Sequence, residues 1–332
     1  MSTTVRSGTT TRVRSEAATR DWHQLPPADL IPWYEREQQQ WRQAFSWETD
    51  ANWRVVEAAR LAGTLPGLVA YEAGTAVGWA FYLVHRGTLQ IGALSAVSRT
   101  ATHALCTTIL DSPEAAATES AMAFVPDATP GLEAALRASG FGVQWFPYLT
   151  RTLTPRSKGA GSFTALEVDR LGAVAHVLSR AYPGADRRRP FAPTGTLDEW
   201  REYVARLVSG TGCGAWVPAC SVVASQSGTD RIGGLVLTTA IAPGTAHVVQ
   251  VAVDPECQGR GLGRRMLDEA LSRLGAAGFD RVTLLVAEGN GPARRLYASL
   301  GFRPAGRFAC ATRMTRRLNP VGQPGPRARP VA

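Results

Sequence analysis

The sequence has few cysteines, no long apolar run and no cluster of metal-binding residues. Its five cysteines, Cys106, Cys213, Cys220, Cys257 and Cys310, stand singly, whereas disulfide-rich domains and metal sites space their cysteines in pairs. We therefore expect reduced thiols and no metal ion. No apolar stretch reaches the roughly 18 residues that a membrane span needs, and the Ser/Thr/Arg-rich N-terminus has no apolar leader segment. These absences favour a cytoplasmic protein.

Positive charge is concentrated at the two ends of the chain. The formal net charge is +9; residues 1–20 hold four Arg and one Glu, and residues 313–332 hold five Arg and no acid. The ends therefore carry almost all of the charge, and the segment between them offers no basic face for nucleic acid. We predict disordered basic tails over residues 1–21 and 316–332, and nucleic-acid binding is the last of the alternatives considered.

The length of the chain and an internal repeat predict two domains. A chain of 332 residues is long enough to bury two cores. Two Gly-Phe pairs, Gly140-Phe141 and Gly301-Phe302, lie 161 residues apart, and the predicted order of elements is the same before each pair. We place one domain at 22–153 and the other at 163–315, with a Pro/Gly/Ser-containing linker at 154–162 between them.

Periodicity predicts the secondary structure of both halves. In the first half we predict helices over 30–45, 51–61, 99–111 and 131–139, and strands over 68–71, 76–85, 89–93, 120–124 and 143–153. In the second half we predict helices over 169–182, 197–208 and 262–274, and strands over 163–168, 220–224, 233–240 and 246–253. The rings of Trp33, Trp41 and Phe45 share one helix face, and we expect them to pack onto a sheet or onto the other domain.

A glycine-rich turn, Gln258-Gly-Arg-Gly-Leu-Gly263, joins a predicted strand to a predicted helix. Glycines allow a sharp turn and close backbone approach, so that N–H groups at a helix N-terminus point into one hollow that suits phosphate. The stretch lacks the Lys and Ser/Thr of nucleotide-hydrolase loops. Considered alone, it fits either a bare turn or a phosphate cradle.

Two motifs in order resemble those of the GNAT superfamily of acyl-CoA-dependent N-acyltransferases. The first is Val251-x-Val253-x-Pro255 followed by Gln258-x-x-Gly-x-Gly263. The second is Asn290-x-x-Ala293-x-x-Leu296-Tyr297-x-x-x-Gly301-Phe302. The resemblance implies an α/β (α+β) fold with two GNAT-like domains in tandem, each a mixed, mostly antiparallel central sheet flanked by helices.

The resemblance also implies acetyl-CoA as co-substrate, without a metal. Its pyrophosphate would lie on the amides of the glycine turn, and its pantetheine arm would add to the strand edge before it. The cofactor-binding residues implied are Val251, Ala252, Val253, Gln258, Gly259, Arg260, Gly261, Leu262, Gly263, Arg264, Asn290 and Ala293.

Three residues are candidates for the two proton transfers of the reaction. Tyr297 matches the superfamily tyrosine that protonates the leaving thiolate, and the alternative for it is a packed tyrosine beside the cofactor. His247 falls where related enzymes place a general base, and a strand-end histidine facing solvent is its alternative. Glu288 is the next candidate base.

The first half lacks the matching residues. Where the phosphate loop is expected it has Ser95 to Thr102 without a glycine, and nothing near Thr129 corresponds to Asn290. We therefore predict a degenerate GNAT-like first domain and a catalytic second domain that acetylates a primary amine by direct attack. The alternative is a non-catalytic acyl-CoA sensor or interaction protein.

Several points stay open at this stage. The acceptor is a small-molecule or peptide amine of unknown identity, the acyl group is acetyl or longer, and the chain is a monomer or homodimer. Arg187-Arg188-Arg189 fits either an acceptor-binding loop or a solvated one. The role of the first domain is also undetermined.

Overall fold

The computed structural model describes residues 17–154, 163–184, 186, 189, 191–210, 213–226, 229 and 231–314. The predicted linker beyond Thr154, the tail at 316–332, and Arg187 and Arg188 lie outside these ranges. The N-terminal tail prediction is wrong at its end, because Ala18–Asp21 form strand β1, paired with β2. A cation–π contact of Arg20 with Tyr71, 4.6 Å to the ring centroid, and a Thr19–Thr108 hydroxyl bond of 3.0 Å hold this segment on the sheet.

The first half begins with two helices and ends with a long strand. Its helices are α1 Pro27–Phe45, α2 Asp50–Leu61, α3 Arg99–Leu110, α4 Pro113–Ala116 and α5 Leu132–Ala138. Its strands after β1 are β2 Gly67–Glu72, β3 Thr75–His85, β4 Thr88–Ala96, β5 Ser120–Pro126 and β6 Gly142–Thr152. These bounds confirm the predicted helices and strands of this half to within a few residues. The short helix α4 was not predicted.

The second half repeats this order. Its helices are α6 Leu171–Ala181, α7 Leu197–Val208, α8 Leu262–Ala276 and α9 Gly291–Ser299. Its strands are β7 Thr164–Ala165, β8 Ala215–Trp216, β9 Val222–Ser225, β10 Ile232–Ala242, β11 Thr245–Val253, β12 Arg281–Leu285 and β13 Arg303–Met314. The first predicted strand is shorter than expected, because a 3-10 turn over Val168–Arg170 leads directly into α6.

All of these strands belong to one mixed, mostly antiparallel sheet. Its order is β1-β2-β3-β4-β5-β13-β6-β12-β11-β10-β9-β7, with β8 paired to β10. Two pairs, β4·β5 and β11·β12, are parallel, and each has four residue pairs in register. The fold class predicted from the sequence is confirmed, but the two halves share a single sheet.

The halves exchange their last strands. Strand β13 of the second half lies between β5 and β6, where it pairs with both, and β6 of the first half pairs with β12. The exchange is reciprocal: Ser120 at the start of β5 faces Met314, and Arg281 at the start of β12 faces Thr152. Each half therefore completes its sheet with a strand from the other.

Helices cover both faces of the sheet. Successive residues of β6 show the two faces: Leu149 packs in the cluster formed by α8 and α9, while Tyr148 packs against Phe45 at the end of α1. Helices α3 and α5 bury the first half of the sheet, and α6 and α7 cover β10 and β11. The Trp41 and Phe45 rings pack on Phe308 of β13, at 5.6 and 4.9 Å between centroids, so α1 spans both halves.

Candidate active site

The glycine turn joins β11 to α8 through two left-handed residues. The Asp254 N–H donates to the Gly233 carbonyl at 2.9 Å, which ends the strand, and a 3-10 turn over Pro255–Cys257 follows. Gly259 and Gly261 then have φ of 75° and 69°, values at which a side chain would be strained. The chain thus needs both glycines in order to enter α8.

The N-terminus of α8 leaves its first N–H groups without intrahelical partners. The capping residue is Gly261, which has no side chain to accept hydrogen bonds from them. At Gly263 an added Cβ would lie 3.4 Å from Val253 Cγ2, so helix and strand are in close contact there. Free donors and the positive end of the helix dipole form an anion-binding cradle.

Strand β11 presents an open edge beside this cradle. Its pairing with β12 stops at Val248 and Leu284, and the residues beyond diverge. Asp254 and every second residue before it form backbone hydrogen bonds with β10. The backbone N–H and C=O groups of Val251 and Val253 therefore point to the other side, into the gap between β11 and β12. Their carbonyls accept hydrogen bonds from Tyr182 Oη at 2.8 Å and Gln258 Nε2 at 3.0 Å. Their N–H groups point into the same gap, where an extended ligand could add as a strand.

Cradle and edge form one groove of about 430 Å³. Eleven of the twelve cofactor residues predicted from the sequence line it: Val251, Ala252, Val253, Gln258, Gly259, Gly261, Leu262, Gly263, Arg264, Asn290 and Ala293. The twelfth, Arg260, is exposed, and its carbonyl accepts a 2.8 Å bond from Arg265. The groove residues missed by the sequence analysis are Ala181, Tyr182, Cys257, Pro292 and Leu296.

Asn290 and Tyr297 lie on one helix beside the groove. Asn290 is the N-cap of α9, and its Oδ1 accepts from the Ala293 N–H at 3.2 Å. Tyr297, one helical turn beyond Ala293, is buried and packs on Phe302. Burial raises the pKa of Tyr297, so its phenol stays protonated at neutral pH.

Tyr182 is the main groove residue that the sequence did not single out. It follows the last residue of α6, and its ring stacks on Trp200 with centroids 5.6 Å apart. Burial raises the pKa of Tyr182 to about 12, and its hydroxyl fixes the Val251 carbonyl in the gap. No motif marks this position, because it belongs to an irregular helix end.

His247 lies in a closed environment. Its Nδ1 is 2.8 Å from Thr283 Oγ1, and its ring contacts Trp47 and Tyr148 at 5.2 and 6.1 Å between centroids. The residue is 3% exposed, and burial lowers its pKa to about 3. None of the three catalytic candidates, His247, Tyr297 and Glu288, is among the residues that line the groove. The solvent-facing alternative is wrong, and the enclosure argues against a role as base, because a protonated imidazole would be unfavourable there.

Glu288, the other candidate base, is exposed. Its N–H donates to the Trp145 carbonyl of β6 at 3.0 Å, and its carbonyl accepts from Arg294 at 3.2 Å. Strand β6 belongs to the first half, so the backbone that carries Glu288 toward Asn290 is held by the exchanged strand.

An ion pair anchors the entrance to the glycine turn. Arg180 of α6 donates to both carboxylate oxygens of Asp254 at 2.7 and 3.1 Å and to Glu256 at 2.9 Å. The Arg180 hydrogen bond lowers the pKa of Asp254, which is almost fully buried. Arg189, from the predicted arginine loop, donates to the carbonyls of Tyr182 and Gly184. It therefore supports its own loop.

The equivalent place in the first half is closed. Ser98 caps α3 by accepting from the Ala101 N–H at 3.0 Å, and its hydroxyl donates to Glu72. The Thr129 hydroxyl donates across the gap to the Leu94 carbonyl at 3.1 Å. The remaining hollow holds only about 10 Å³, against about 430 Å³ in the second half.

Comparison with known proteins agrees with this geometry. Residues 174–302 match the acetyltransferase (GNAT) family. The chain is 50% identical over 60 residues to a mycothiol acetyltransferase of Beutenbergia cavernae, a stretch covering 18% of this chain and 20% of that protein. It is 37% identical over 76 residues to the [ribosomal protein bS18]-alanine N-acetyltransferase of Salmonella typhimurium, covering 23% and 51%. These matches span between a fifth and half of each relative's length.

Solved structures share the fold across most of the chain. A GCN5-related N-acetyltransferase from Sphaerobacter thermophilus superposes with a TM-score of 0.64 at 17% identity, covering 90% of this chain and 95% of that one. A tandem GNAT protein from the clavulanic acid biosynthesis pathway gives a TM-score of 0.52 at 18% identity, covering 75% and 82%. Both likenesses extend over both halves.

The fold is the mixed α/β fold of these solved structures. Residues 174–302 match the GNAT acetyltransferase family, as the two motifs predicted. The described residues do not bring three or more metal-ligating side chains together. Within the same ranges, no helix combines the length and apolar composition needed to cross a bilayer.

Proposed function

We propose that the chain is an acetyl-CoA-dependent N-acetyltransferase of the cytoplasm that acetylates a primary amine, with its chemistry in the groove of the second half. The observation that carries this is the junction of two features: the donor-lined start of α8 and the open edge of β11. The first suits a pyrophosphate and the second an extended pantetheine arm. In the first half Ser98 caps the equivalent helix, and the Thr129 hydroxyl donates to the Leu94 carbonyl of β4.

The residues of the groove fit this co-substrate. The cradle at Gly259–Arg264 offers backbone donors and the Arg264 guanidinium to phosphate. With the pantetheine arm along this edge, the N–H groups of Val251 and Val253 would be available to the thioester carbonyl. One such donor, aimed at the developing oxyanion, is worth about 100- to 1000-fold in rate.

In the proposed reaction the amine attacks the thioester directly. The amine nitrogen forms a bond to the acetyl carbon while the carbon–sulfur bond breaks, and no covalent enzyme intermediate is needed. The acceptor ammonium loses two protons in all, and the CoA thiolate gains one. We assign proton donation to Tyr297, whose phenol burial keeps protonated, with Tyr182 holding the Val251 carbonyl in place. We assign proton acceptance to the exposed Glu288 in preference to the enclosed His247.

The names of the relatives suggest which amines to test. The panel comprises a peptide with N-terminal alanine, desacetylmycothiol, glucosamine, a lysine peptide and spermidine, each incubated with acetyl-CoA. Product is detected by mass, and bound acetyl-CoA is counted per chain by native mass spectrometry. We expect one acetyl-CoA per chain and acetylation of at least one amine.

Substitutions separate the proposed roles. Tyr297→Phe should lower kcat by about 10- to 1000-fold while acetyl-CoA still binds, and Glu288→Gln should lower the rate. Tyr71→Phe, a half-buried tyrosine of the first half, is the matched control. Binding of acetyl-CoA without acetylation of any amine would favour a non-catalytic acyl-CoA sensor.

A further inference from the structure

The part of β11 that lines the groove is not held by a regular ladder on either side. Toward β12 its pairing stops at Val248. Toward β10 it has a β-bulge, in which Val249 is the extra residue between the pairs formed by Val248 and Gln250. A bulge disrupts the ladder and changes the direction of the residues beside it. The orientation of the peptide group between Gln250 and Val251 therefore depends on other contacts.

Two tyrosines supply such contacts to these successive residues. The Tyr182 hydroxyl donates to the Val251 carbonyl at 2.8 Å, and the Tyr203 hydroxyl is hydrogen-bonded to the side chain of Gln250. Gln250 is only 8% exposed, and a hydrogen bond shielded from water is stronger than one at the surface. The two contacts hold both residues that share the peptide group.

Both tyrosines belong to one packed unit, here called the ring clamp, which consists of Tyr182, Trp200 and Tyr203. The buried Trp200 stacks on Tyr182 with centroids 5.6 Å apart and lies edge-on to Tyr203 at 5.8 Å. Phe191 packs on Trp200 and Tyr203 at 5.9 and 4.7 Å, and Arg189 donates to the Tyr182 carbonyl at 2.6 Å. Rings packed in this way have little freedom to move, so the ring clamp is a rigid support for β11.

The first half has the same bulge with different contacts. Gly92 is the extra residue of β4, so the next two residues, Ala93 and Leu94, correspond to the two that the ring clamp holds. Alanine has no side-chain group that could bond to a neighbouring helix. The Leu94 carbonyl accepts from the Thr129 hydroxyl at 3.1 Å, a bond that crosses the gap and closes it. The ring clamp instead holds the edge of β11 from α6 and α7.

We propose that Tyr203 is a positioning residue of the groove: acting through Gln250, and together with Tyr182, it keeps the Val251 N–H directed into the gap. Tyr203 is not among the residues that line the groove, so its effect on a ligand is transmitted by the strand. This inference rests on the proposed function, in which the pantetheine arm and the thioester lie along that edge. It makes α7 a part of the binding machinery.

The test compares the binding of two ligands to the full chain by titration calorimetry. Acetyl-CoA uses the cradle and the strand edge, whereas ADP carries a pyrophosphate without a pantetheine arm and uses the cradle alone. Tyr203→Phe removes one hydroxyl and keeps the ring. We expect its Kd for acetyl-CoA to rise about 3- to 10-fold and its Kd for ADP to change by less than about twofold. With the best amine of the panel, kcat should fall by about 10-fold, which is less than the loss of an oxyanion donor itself would cause.

A double-mutant cycle tests whether the hydroxyl acts through Gln250. Gln250→Met keeps the length of the side chain without its amide, and combining it with Tyr203→Phe should raise the Kd for acetyl-CoA no further than either change alone. Tyr82→Phe is the matched control, because Tyr82 is a buried tyrosine of the first half whose hydroxyl donates to Glu114 at 3.4 Å. It should change neither Kd nor kcat.

The possible failures of this inference and of the proposed function are distinguishable. If Tyr203→Phe leaves the Kd for acetyl-CoA unchanged, or weakens both ligands equally, Tyr203 does not position the strand edge. Additive losses in the cycle would show that it does not act through Gln250. Each of these results leaves the proposed function standing when the wild-type protein acetylates an amine. If the wild-type protein acetylates no amine of the panel, the proposed function fails, and the comparison of acetyl-CoA with ADP still decides the role of Tyr203.

Discussion

The two strand-to-helix turns of this protein begin alike and end differently. The Val97 N–H donates to the Val77 carbonyl at 2.9 Å, as the Asp254 N–H does to Gly233. After that bond, only residues 97–98 separate β4 from α3, whereas residues 254–261 separate β11 from α8. The short turn ends in a serine that satisfies its own helix. The long one ends in a glycine that leaves the donors to a ligand, so length and cap residue together decide which half can hold a phosphate.

The largest effect is expected from separating the halves. Residues 163–332 alone lack β6, so β12 and β13 lose a partner strand and expose unpaired backbone. We expect this fragment to show no cooperative urea transition by circular dichroism. A full chain cut within 155–162 should stay associated, because the exchanged strands remain. A fragment that folds alone and binds acetyl-CoA normally would contradict the shared sheet.

A charge at the glycine cap should remove co-substrate binding. Gly261→Glu places a carboxylate at a φ of 69° inside the cradle, and we expect acetyl-CoA affinity to fall on the order of 100-fold, or about 2.7 kcal/mol. Gly63→Glu is the matched control, since Gly63 also has a φ of 69° with open space around it but lies in the first half. Titration calorimetry with acetyl-CoA on both variants distinguishes the effect of backbone strain from the effect of a carboxylate in the cradle. Equal losses would mean that backbone strain alone explains the result.

His247 should make the free energy of unfolding depend on pH. Gln90 occupies the same register position in the first half and has no titratable side chain. The folded pKa of His247, about 3, is below the ordinary value, so the unfolded chain binds the extra proton. Stability is therefore full above about pH 6.5 and falls as the pH drops toward 3, by about 1–2 kcal/mol between pH 7 and 5. Urea unfolding at both pH values should show a smaller decrease in His247→Gln. An equal decrease would assign the acid sensitivity to other groups.

Asp254→Asn should destabilise the glycine turn of the second half. Its counterpart in the first half, Val97, begins the equivalent turn without an ion pair. Arg180 lowers the pKa of Asp254, so the stabilisation is present above the unfolded value near 3.9 and is lost as pH falls through the lower folded value. We expect the variant to be about 1 kcal/mol less stable at neutral pH and indistinguishable from the wild type once the pH is below that lowered folded value. A difference that persists at low pH would point to packing as its cause.

The smallest effect concerns the closed turn of the first half. Ser98→Ala removes the cap of α3, and we expect a loss of about 1 kcal/mol in the free energy of unfolding. The number of acetyl-CoA molecules bound per chain should stay the same by native mass spectrometry. A second bound molecule would show that the serine alone keeps the first half empty.

The sequence predicted most of the local structure because that structure is local in origin. The helices predicted over 99–111 and 262–274, the strands predicted over 68–71 and 76–85, and the glycine turn at Gly261 each depend on a few neighbouring residues. The groove followed from them, because a strand, a turn and a helix in succession bring their own residues together. Only Arg260 among the predicted cofactor residues lies outside the lining.

What the sequence could not show depends on residues far apart in the chain. The exchange of β6 and β13 leaves the apolar pattern of each strand unchanged, because each strand is buried whether it pairs within its own half or with the other half. Tyr182 acquires its place from stacking on Trp200, and the enclosure of His247 comes from Trp47, some 200 residues earlier. Position on β11 alone could not reveal that a ring from the segment between α1 and α2 covers it.

The exchanged strands also set an order for making the protein. Strand β13 is synthesised last, yet its place is between β5 and β6, which leave the ribosome long before it. Until it arrives, β5 and β6 have facing edges open to wrong partners, including the same strands of neighbouring nascent chains. The first half therefore cannot finish folding while the second is being translated. In this protein a late ribosomal stall or a truncation near the C-terminus would damage the part that was translated first.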